Sequence, residues 1–567
     1  MIDLIITHPA DGPAALFTRN FRVHSGIPIG LYQGGPRSPV ALVYGDVSED
    51  VLREVSEHYS GIVAIPSRES DSIPEHPCHY ETMTVKAPIL AEMQAIKRQG
   101  FREFVKTFEG GPLVLKGFTG KALTLFFTAD LVKATIRILS GEMEKDTGTD
   151  RYGRSKPAGD NIISTPAVSL HFNLIKNAVQ YIYKKNGIPL LSIPRWPASA
   201  PLAIFLSHDI DVVRKWTPKR SVYEVLKSVK DVARFRFRPL LDTLDSISEA
   251  ARGRDPYWMF DELLFVENGN GFKSTWFFAP FGGIYNTREN DFDPVYRRKS
   301  SEITAMIRRI TENGCEIALH GTRRAHLDAR ELCRQVETFQ NRLGLRIRGV
   351  RQHYLMFRND KTLEVTADAG LGYDTTLGFS DRTGFRNGMS SPYFPYPGDH
   401  PAGSLVEIPL TFMDTCFVNS EEKPERITRQ VTESYLYAKA AGGLFSVLVH
   451  PGNMDPMEIP GLSTFYNSIL SRFRMDNAHS MTGVEITEWW MAREEVLKNL
   501  EYGPDMWRIK GVDLPVDMDL FITAPSIKNM RFTIEGTVGA SMLNHDTLTI
   551  RPGAIDPGTG ITIVKKK

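Results

Sequence analysis

Between residues 202 and 498, short apolar runs alternate with amphipathic stretches of helix length. The apolar runs, each predicted as a strand, are 202–207, 274–279, 316–319, 347–350, 405–409, 444–449 and 484–486. The helices predicted between them span 301–313, 328–343, 360–369, 424–440 and 461–476. Strands that alternate with helices favour parallel βαβ units, and a segment of this length suits a closed or nearly closed (β/α) barrel.

The pattern differs on either side of this segment. Residues 188–201 contain four prolines, which break regular structure, so we expect an inter-domain connection there. Before it, strand-like runs (40–44, 61–65) mix with helical runs (51–58, 90–107, 165–185), which predicts an N-terminal mixed α/β domain over 1–195 without a chemical motif. The barrel is assigned to 200–500. Period-two alternation at 519–523, 530–535 and 547–550, with a further run at 561–564, predicts a small β domain over 505–567.

Composition narrows the function classes. The 567 residues are 42% hydrophobic and 24% charged, as in soluble globular proteins, and a net charge of +1 leaves no electrostatic footprint for nucleic acid. The four cysteines form no CxxC pair, which argues against a cysteine zinc site or a disulfide framework. The start of the chain lacks a secretory pattern. The apolar stretch 122–139 carries three charges, which favours a buried amphipathic helix over a transmembrane segment. We therefore expect a cytoplasmic protein.

Polar side chains follow several of the predicted strands, at the edge where parallel barrels build their active sites. The first run leads into Asp209-Ile210-Asp211. Alternate residues of an extended chain face the same side, so both carboxylates point together and repel unless a cation lies beside them. With a divalent metal, one carboxylate can ligate while the other acts as general base. A solvated strand-to-loop turn explains this pair equally well.

Histidines follow two further runs. His320 ends the third run, and together with Asp211 it supplies two of the three protein ligands of an open catalytic zinc site. The third ligand is His326, in the loop beyond His320, or His353, at the end of the next strand. Spacing leaves both open, and a structural histidine is the alternative for each.

Three more polar residues lie at strand ends or in the loops that follow. Arg351 shares its strand end with His353, and its guanidinium can hold Asp209 ionised. Asp414 lies in the loop after 405–410, where it can hold Arg351 in turn. His450 closes the sixth run and suits a general acid. Surface or half-buried structural roles remain the alternatives.

Aromatic side chains offer candidate substrate contacts. The loop 379–396 is rich in Gly, Pro and aromatics and is long enough to line a substrate groove. We expect Tyr354, Phe379 and Arg386 to bind substrate. A second aromatic group consists of Trp276, Phe277, Phe278, Phe281 and Tyr285. It is either a sugar-stacking platform or part of the barrel core, and core is favoured for Trp276, Phe277 and Phe278, which lie in the strand run itself.

These residues, in this order, resemble the NodB-homology polysaccharide deacetylases (carbohydrate esterase family 4 and relatives). The matching motifs are Ser-His-Asp-Ile-Asp at 207–211, Glu-Ile-Ala-Leu-His-Gly-Thr at 316–322, Gly-Val-Arg-Gln-His-Tyr-Leu at 349–355, Tyr-Asp-Thr-Thr-Leu-Gly-Phe at 373–379, Gly-Phe-Arg-Asn-Gly at 384–388 and Leu-Val-His-Pro at 448–451. The first is similar to the branch with His-Asp-Val-Asp. The resemblance covers about 300 residues of the chain.

The resemblance implies a distorted (β/α) barrel of the polysaccharide deacetylase type, which hydrolyses an N- or O-acetyl group on a sugar with a divalent metal, here expected to be zinc. It implies Asp209 as the base, Asp211 and His320 as metal ligands and His450 as the acid, with Arg351 orienting the base. In the founding pattern a second histidine follows the first by four residues, where this chain has Arg324. His326 or His353 must therefore replace it.

Two other functions fit the same residues. One is a non-catalytic carbohydrate-binding or assembly protein on the same barrel. Arg324 in place of the second histidine favours this function, and the metal content of the purified protein would test it. The other is a hydrolase of C–N bonds in small amides, which a deep and narrow pocket would favour over an open groove.

Overall fold

The computed structural model describes most of the chain. The described residues are 2–7, 11–33, 38–67, 96–98, 101–106, 112–157, 164–216, 221–226, 229, 237–280, 300–396, 398–503, 506–509, 515, 517–525, 527–535, 538–544, 546–552 and 561–566. Of the aromatic group predicted from the sequence, Phe281 and Tyr285 lie outside these ranges. Trp276, Phe277 and Phe278 are fully buried, as expected for core.

An eight-stranded sheet occupies the N-terminal region. Its strands are β1 (Ile2–Ile6), β2 (Ile29–Leu31), β3 (Val40–Gly45), β4 (Gly61–Pro66), β5 (Ile96–Arg98), β6 (Phe101–Lys106), β7 (Pro112–Thr119) and β8 (Ala122–Phe127), in the order β2-β1-β3-β4-β8-β7-β6-β5. The part from β2 to β8 is parallel and the rest antiparallel. The central strands β3 and β4 are buried along their whole length, which explains their unbroken apolar sequence.

Four helices accompany this sheet: α1 (Asp11–Ser25), α2 (Glu49–Ser56), α3 (Leu131–Leu139) and α4 (Ala167–Lys185). The helix expected over 90–107 is wrong where the structure describes it, because β5 and β6 pair antiparallel across a two-residue Gln-Gly connection. The helix expected over 122–139 is a strand followed by a helix. Asp130 separates them by accepting a hydrogen bond from the backbone N–H of Lys133, which starts α3.

The central sheet has nine parallel strands. They are β10 (Ala203–Ile210), β11 (Ser274–Phe278), β12 (Glu316–Gly321), β13 (Gly349–Gln352), β14 (Tyr373–Asp374), β15 (Val406–Glu407), β16 (Phe412–Met413), β17 (Leu444–Leu448) and β18 (His479–Ser480). The order is β15-β14-β13-β12-β11-β10-β17-β16, and β18 pairs with the start of β10 on the side of β11. The expected parallel α/β architecture is confirmed in this coarse form.

Chain connectivity requires this sheet to curl. Its two edge strands, β15 and β16, are separated by only the four residues 408–411. At a spacing of about 4.8 Å per strand, a flat sheet would place these edges about 34 Å apart. The five Cα steps from Glu407 to Phe412 span at most about 19 Å. The sheet therefore bends into an incomplete barrel, which brings the carboxyl ends of its strands to one mouth.

Helices cover this barrel: α5 (Arg238–Ala251), α6 (Phe260–Gly269), α7 (Ser300–Glu312), α8 (Ala329–Leu343), α9 (Thr362–Asp368), α10 (Cys416–Asn419), α11 (Pro424–Ala440), α12 (Leu462–Met475) and α13 (Gly483–Lys498). The strand expected at 484–486 is wrong, because these residues begin α13. Thr482 and Glu485 form a reciprocal capping box there, in which each side chain accepts a hydrogen bond from the other's backbone N–H.

The last strands form two antiparallel four-stranded sheets. They are β19 (Leu500–Gly503), β20 (Met506–Ile509), β21 (Leu520–Thr523), β22 (Arg531–Glu535), β23 (Val538–Asn544), β24 (Thr547–Pro552) and β25 (Ile561–Lys566). One sheet has the order β19-β20-β25-β22, and the other has the order β23-β24-β21-β9, where β9 is Leu190–Ser192. Among the described residues, no helix has the length and apolar character needed to cross a membrane.

Candidate active site

A cleft of about 770 Å³ lies at the mouth of the barrel, against the carboxyl ends of the strands. Its lining includes five of the residues that the sequence singles out: Asp209, Asp211, His320, His353 and His450. The barrel thus gathers side chains from four strand ends that are up to 241 residues apart in sequence. Parallel (β/α) barrels place their chemistry at this same face.

The two aspartates are positioned by β10. All eight residues of this central strand are buried, and Asp209 remains only 3% exposed. Asp211 follows immediately and is partly exposed. The alternation of the strand turns both carboxylates towards the same group of histidines, since His320 lies 3.8 Å from Asp209 and 3.1 Å from Asp211.

Asp211, His320 and His353 form a cluster that can hold a metal ion. Each offers one ligand atom, and the three atoms lie within 4.8 Å of one another. The Oδ1 of Asp211 lies 3.1 Å from the Nε2 of His320 and 3.7 Å from the Nε2 of His353. Two imidazoles and a carboxylate are a ligand set that zinc and related divalent metals accept.

Two of these ligand atoms have unused hydrogen-bonding capacity. The Oδ1 of Asp211 and the Nε2 of His320 are buried and have no hydrogen-bond partner among the described residues, although they lie 3.1 Å apart. The Nδ1 of His320 is 2.9 Å from the carbonyl oxygen of Arg351, which can only accept, so Nδ1 carries the proton. In the neutral ring Nε2 then keeps a lone pair directed into the cluster. Buried polar atoms without partners are costly, and a cation between them would satisfy both.

The pKa of Asp211 reflects the same surroundings. Burial acts to raise it, but the histidines His353, His320 and His450 lower the pKa below the ordinary value for an aspartate. The carboxylate is therefore ionised, as metal ligation requires.

Only one of the two candidate third ligands reaches the cluster. His353, which follows β13, belongs to the cluster, whereas His326 does not. The Nδ1 of His326 lies 2.7 Å from the carbonyl oxygen of Arg323, which keeps the ring within its own short 3₁₀ helix, Ala325–Leu327. Of the two candidate histidines, the one that lies beside Asp211 and His320 therefore comes from the end of the neighbouring strand.

Gly321, next to His320, leaves space for the side chain of Gln352 at this edge. A Cβ on Gly321 would collide with the side-chain amide of Gln352, the residue before His353. The His-Gly pair in the second motif is therefore explained by packing beside the cluster.

Arg351 orients Asp209. Its Nη1 donates to the Oδ1 of Asp209 at 2.9 Å and to the hydroxyl of Ser207 at 3.0 Å, while its Nε donates to the carbonyl of Thr375 at 3.1 Å. The guanidinium is fully buried and lies over the ring of Phe277. A fixed, charged donor keeps the Asp209 carboxylate in one orientation.

Asp414 holds His450, not Arg351 as expected. The Oδ1 of Asp414 lies 2.7 Å from the Nδ1 of His450, and its Oδ2 accepts from the backbone N–H of His450 at 2.7 Å. The reason is topological, since Asp414 follows β16, and β16 pairs with the strand that leads to His450. Burial acts against the charged ring, but Asp414 raises the pKa of His450 to about 10.

The three expected substrate contacts all line the cleft. Tyr354 is 43% exposed and Phe379 is 6% exposed. Arg386 is different, because both its Nε and its Nη2 donate to the Glu144 carboxylate at 3.0 Å. Its charge is therefore neutralised by a buried ion pair with the N-terminal region.

Two features escaped the sequence analysis. His208 is buried beside Asp209, with its Nε2 2.8 Å from Glu267 and its Nδ1 2.9 Å from the carbonyl of Val449. Both ring nitrogens are engaged, so His208 supports β10 and is not a ligand. The other feature is the loop 149–157 of the N-terminal region, which lines the cleft opposite the barrel residues. No motif in that region indicated it.

No family model and no curated protein matches the sequence. Similar solved structures include a candidate polysaccharide deacetylase from Mycobacterium smegmatis, 20% identical over 53% of this chain and 93% of its own, with a TM-score of 0.34. The carbohydrate deacetylase Agd3 is 9% identical over 100% of this chain and 98% of its own, with a TM-score of 0.39. A CE4-family pseudoenzyme from Bacillus anthracis is 9% identical over 50% of this chain and 65% of its own, with a TM-score of 0.26.

Proposed function

We propose that this chain is a metal-dependent deacetylase that removes an acetyl group from a sugar or polysaccharide. One observation carries the proposal: an oriented carboxylate, a cluster of three ligand residues and a carboxylate-bound histidine line the same cleft. These are the groups that hydrolysis of an acetamide or acetate requires, namely a base, a Lewis acid site and an acid.

Asp211, His320 and His353 would hold the metal, which we propose to be zinc. A divalent cation held by these side chains would supply Lewis acidity, which activates water as a nucleophile and stabilises charge on a carbonyl oxygen. The unpartnered Oδ1 of Asp211 and Nε2 of His320 support this assignment.

Asp209 is proposed as the base. Arg351 engages its Oδ1, which leaves Oδ2 as the atom that accepts the proton of the attacking water. The side chain is almost fully buried, so the proton acceptor is shielded from bulk water. A base in a fixed position contributes about 10²- to 10⁴-fold to the rate.

His450 is proposed as the acid. Its Nδ1 is held by Asp414, and its Nε2 lies 3.6 Å from the Oδ2 of Asp211, on the cluster side of the ring. The proton on Nε2 is thus placed to reach a leaving amine or alcohol beside the cluster. Asp414 keeps the imidazolium charged until the transfer.

The shape of the cleft favours a glycan over a small amide. A second cavity of about 770 Å³ shares Asp381, Arg382 and Asn419 with the first. The two adjoining cavities offer space beyond the cluster for a substrate of several sugar units, whereas a small amide needs a single closed pocket.

The proposal is tested by acetate release from a panel of N- and O-acetylated oligosaccharides, with wild type and Asp209→Asn compared side by side. We expect release by the wild type and a loss of at least 10²-fold in the variant. Metal content is measured on both proteins, and we expect Asp209→Asn to retain its ion. Equal release from both proteins would remove Asp209 from the mechanism. Glycan binding without any acetate release or bound metal would instead establish the non-catalytic carbohydrate-binding function.

A further inference from the structure

The 149–157 loop is a defined structure at the edge of the cleft. Its ends are joined by a bridge between Thr149 and Ser155. Inside it, the Oδ1 of Asp150 accepts from the backbone N–H groups of Tyr152 and Arg154, and Gly153 takes a positive φ of 86°. These contacts hold the loop in one conformation, so its side chains have fixed positions in the cleft.

The loop is fastened to the barrel next to the metal cluster. Arg154 donates to the carbonyl of Tyr354 at 2.8 Å, and the backbone N–H of Ser155 donates to the carbonyl of Phe357 at 2.9 Å. Tyr354, which follows the ligand His353, has a left-handed φ of 59°. A left-handed conformation is unfavourable for a tyrosine, and the hydrogen bond from Arg154 helps to stabilise it.

The loop and the barrel together form an aromatic surface. The rings of Tyr152 and Tyr354 are nearly parallel, with 13° between their planes and 6.2 Å between their centroids. Both residues line the cleft. Aromatic faces are favourable surfaces for the C–H face of a sugar ring, and phenol hydroxyls add polar contacts.

Positive charge surrounds this surface. The guanidinium carbons of Arg151, Arg154 and Arg323 lie 4.7, 5.2 and 5.9 Å from the centre of the Tyr152 ring. Lys156 lies on the same loop and also lines the cleft. The loop therefore gives this side of the cleft a basic character.

Most of the other charged groups in the cleft are already paired. Arg154 binds Asp150 at 2.7 Å, Arg382 binds Asp381 at 3.1 Å, and Arg386 is neutralised by Glu144. Among the described residues, Arg151 and Lys156 form no ion pair. Two exposed cations without carboxylate partners, on a fixed loop, attract an anion that enters the cleft.

Resting on the proposed function, we infer that the substrate is an acidic carbohydrate. Its carboxylate or phosphate group binds Arg151 and Lys156, while one of its sugar rings lies against Tyr152 and Tyr354. The acetyl group that is removed lies at the metal cluster of the same cleft. The N-terminal region thus supplies substrate recognition to the barrel's chemistry.

The test uses the full chain with the double substitution Arg151→Glu/Lys156→Glu. The matched control is Lys121→Glu/Lys145→Glu, which makes the same charge change at exposed residues of the N-terminal region outside the cleft. Binding is measured by calorimetry on the metal-free protein with three probes: an acetylated oligosaccharide containing uronic acid, an acetylated sugar phosphate and a neutral N-acetylglucosamine oligomer. Metal-free binding keeps the test independent of deacetylation.

We expect the wild type to bind an acidic probe at least tenfold more tightly than the neutral oligomer. The Arg151→Glu/Lys156→Glu protein should lose this preference, and the control should keep it. The uronic acid and phosphate arms identify which anion is preferred. Equal binding of acidic and neutral probes by the wild type, or an equal loss in the control, would overturn the inference.

A further variant separates recognition from folding. Tyr152→Leu retains apolar bulk, and we expect it to weaken binding of acidic and neutral probes alike, by tenfold or more, because both need the aromatic surface. Unchanged binding in a folded Tyr152→Leu protein would show that the aromatic surface does not bind the sugar. If probes bind as expected and no acetate is ever released, the inference stands while the proposed function fails.

Discussion

The carboxylate of Asp414 contacts His450 twice, through the ring Nδ1 at 2.7 Å and through the backbone N–H at 2.7 Å. Asn453 adds a third hydrogen bond, from its side-chain amide to the Oδ2 of Asp414 at 3.1 Å. The aspartate is fully buried, so the imidazole is held against a charge that water does not screen. This arrangement keeps the imidazole of His450 protonated, with its Nε2 directed into the cleft.

Asp414→Asn should therefore impair the departure of poor leaving groups. We expect kcat for an N-acetylated sugar to fall by about 10²-fold or more, since a positioned acid contributes this much. Hydrolysis of 4-nitrophenyl acetate should fall much less, because its leaving group departs without a proton. The control is Asp476→Asn, the same change at a hydrogen-bonded, partly buried carboxylate outside the cleft. Equal losses for both substrates in Asp414→Asn would contradict the acid assignment.

Metal content should distinguish the two candidate third ligands. We expect purified wild type to hold about one divalent ion, and His320→Ala and His353→Ala to lose it, because each removes one of three ligands. His326→Ala is the matched control, since His326 lies outside the cluster. Inductively coupled plasma mass spectrometry gives the answer directly. Loss of metal in His326→Ala with retention in His353→Ala would reverse the assignment.

Arg351→Met should destabilise the metal-free protein. The change leaves Asp209 as a buried carboxylate without its cation, which costs about 3–5 kcal/mol in the free energy of unfolding. Adding Asp209→Asn should recover part of this loss, because the remaining side chain is neutral. Denaturant unfolding of the wild type, both single variants and the double variant measures the coupling. A double variant whose loss of stability equals the sum of the losses in the two single variants would show that the pair is not coupled.

Glu407 predicts a pH effect on stability. Burial, with the neighbouring Asp374 carboxylate, raises the pKa of Glu407 well above its ordinary value of 4.5. Above that pH the unfolded chain releases a proton that the folded chain keeps, so this residue lowers stability as pH rises, by at most about 1.4 kcal/mol per pH unit. Glu407→Gln removes the effect.

The melting temperatures of wild type and Glu407→Gln should therefore diverge from pH 5 to pH 8, in favour of the variant. Glu421→Gln, at an exposed position, should follow the wild type at both pH values. A difference between Glu407→Gln and wild type that does not change with pH would mean that Glu407 is ionised in the folded protein.

The positions of the barrel strands were predictable, because buried parallel strands leave unbroken apolar runs. The runs before Asp209, His320 and His450 all became strands of the central sheet. The strand predicted at 484–486 is wrong for a local reason: the three residues Val-Glu-Ile are too few to show a period, and Thr482 with Glu485 is a helix start signal. Within 90–107, the described residues 96–98 and 101–106 form strands, because antiparallel pairing between them overrides their helical pattern.

Partners across the barrel were less predictable. Asp209, Asp211 and His320 were expected to meet, because the strand ends share one edge of the sheet. The preference for His353 over His326 as the third member of the cluster depends on which of the two lies closer in space, and the sequence does not show this. Asp414 was assigned to Arg351 because no sequence signal showed that β16 lies beside β17. The role of Arg386 depends on Glu144, a residue of the N-terminal region 242 positions away. Such contacts are set by packing between distant segments.

The attachment of the 149–157 loop limits how this protein can be divided. Arg154 and Ser155 donate hydrogen bonds to the backbone carbonyls of Tyr354 and Phe357, which follow His353, and Glu144 neutralises Arg386. The N-terminal region therefore cannot be exchanged without changing contacts beside the cleft. A chimera that joins this barrel to an N-terminal region without Arg154 and Glu144 would leave the Tyr354 carbonyl without its hydrogen bond and Arg386 as an uncompensated buried cation, so a redesign must treat both sides of the contact together.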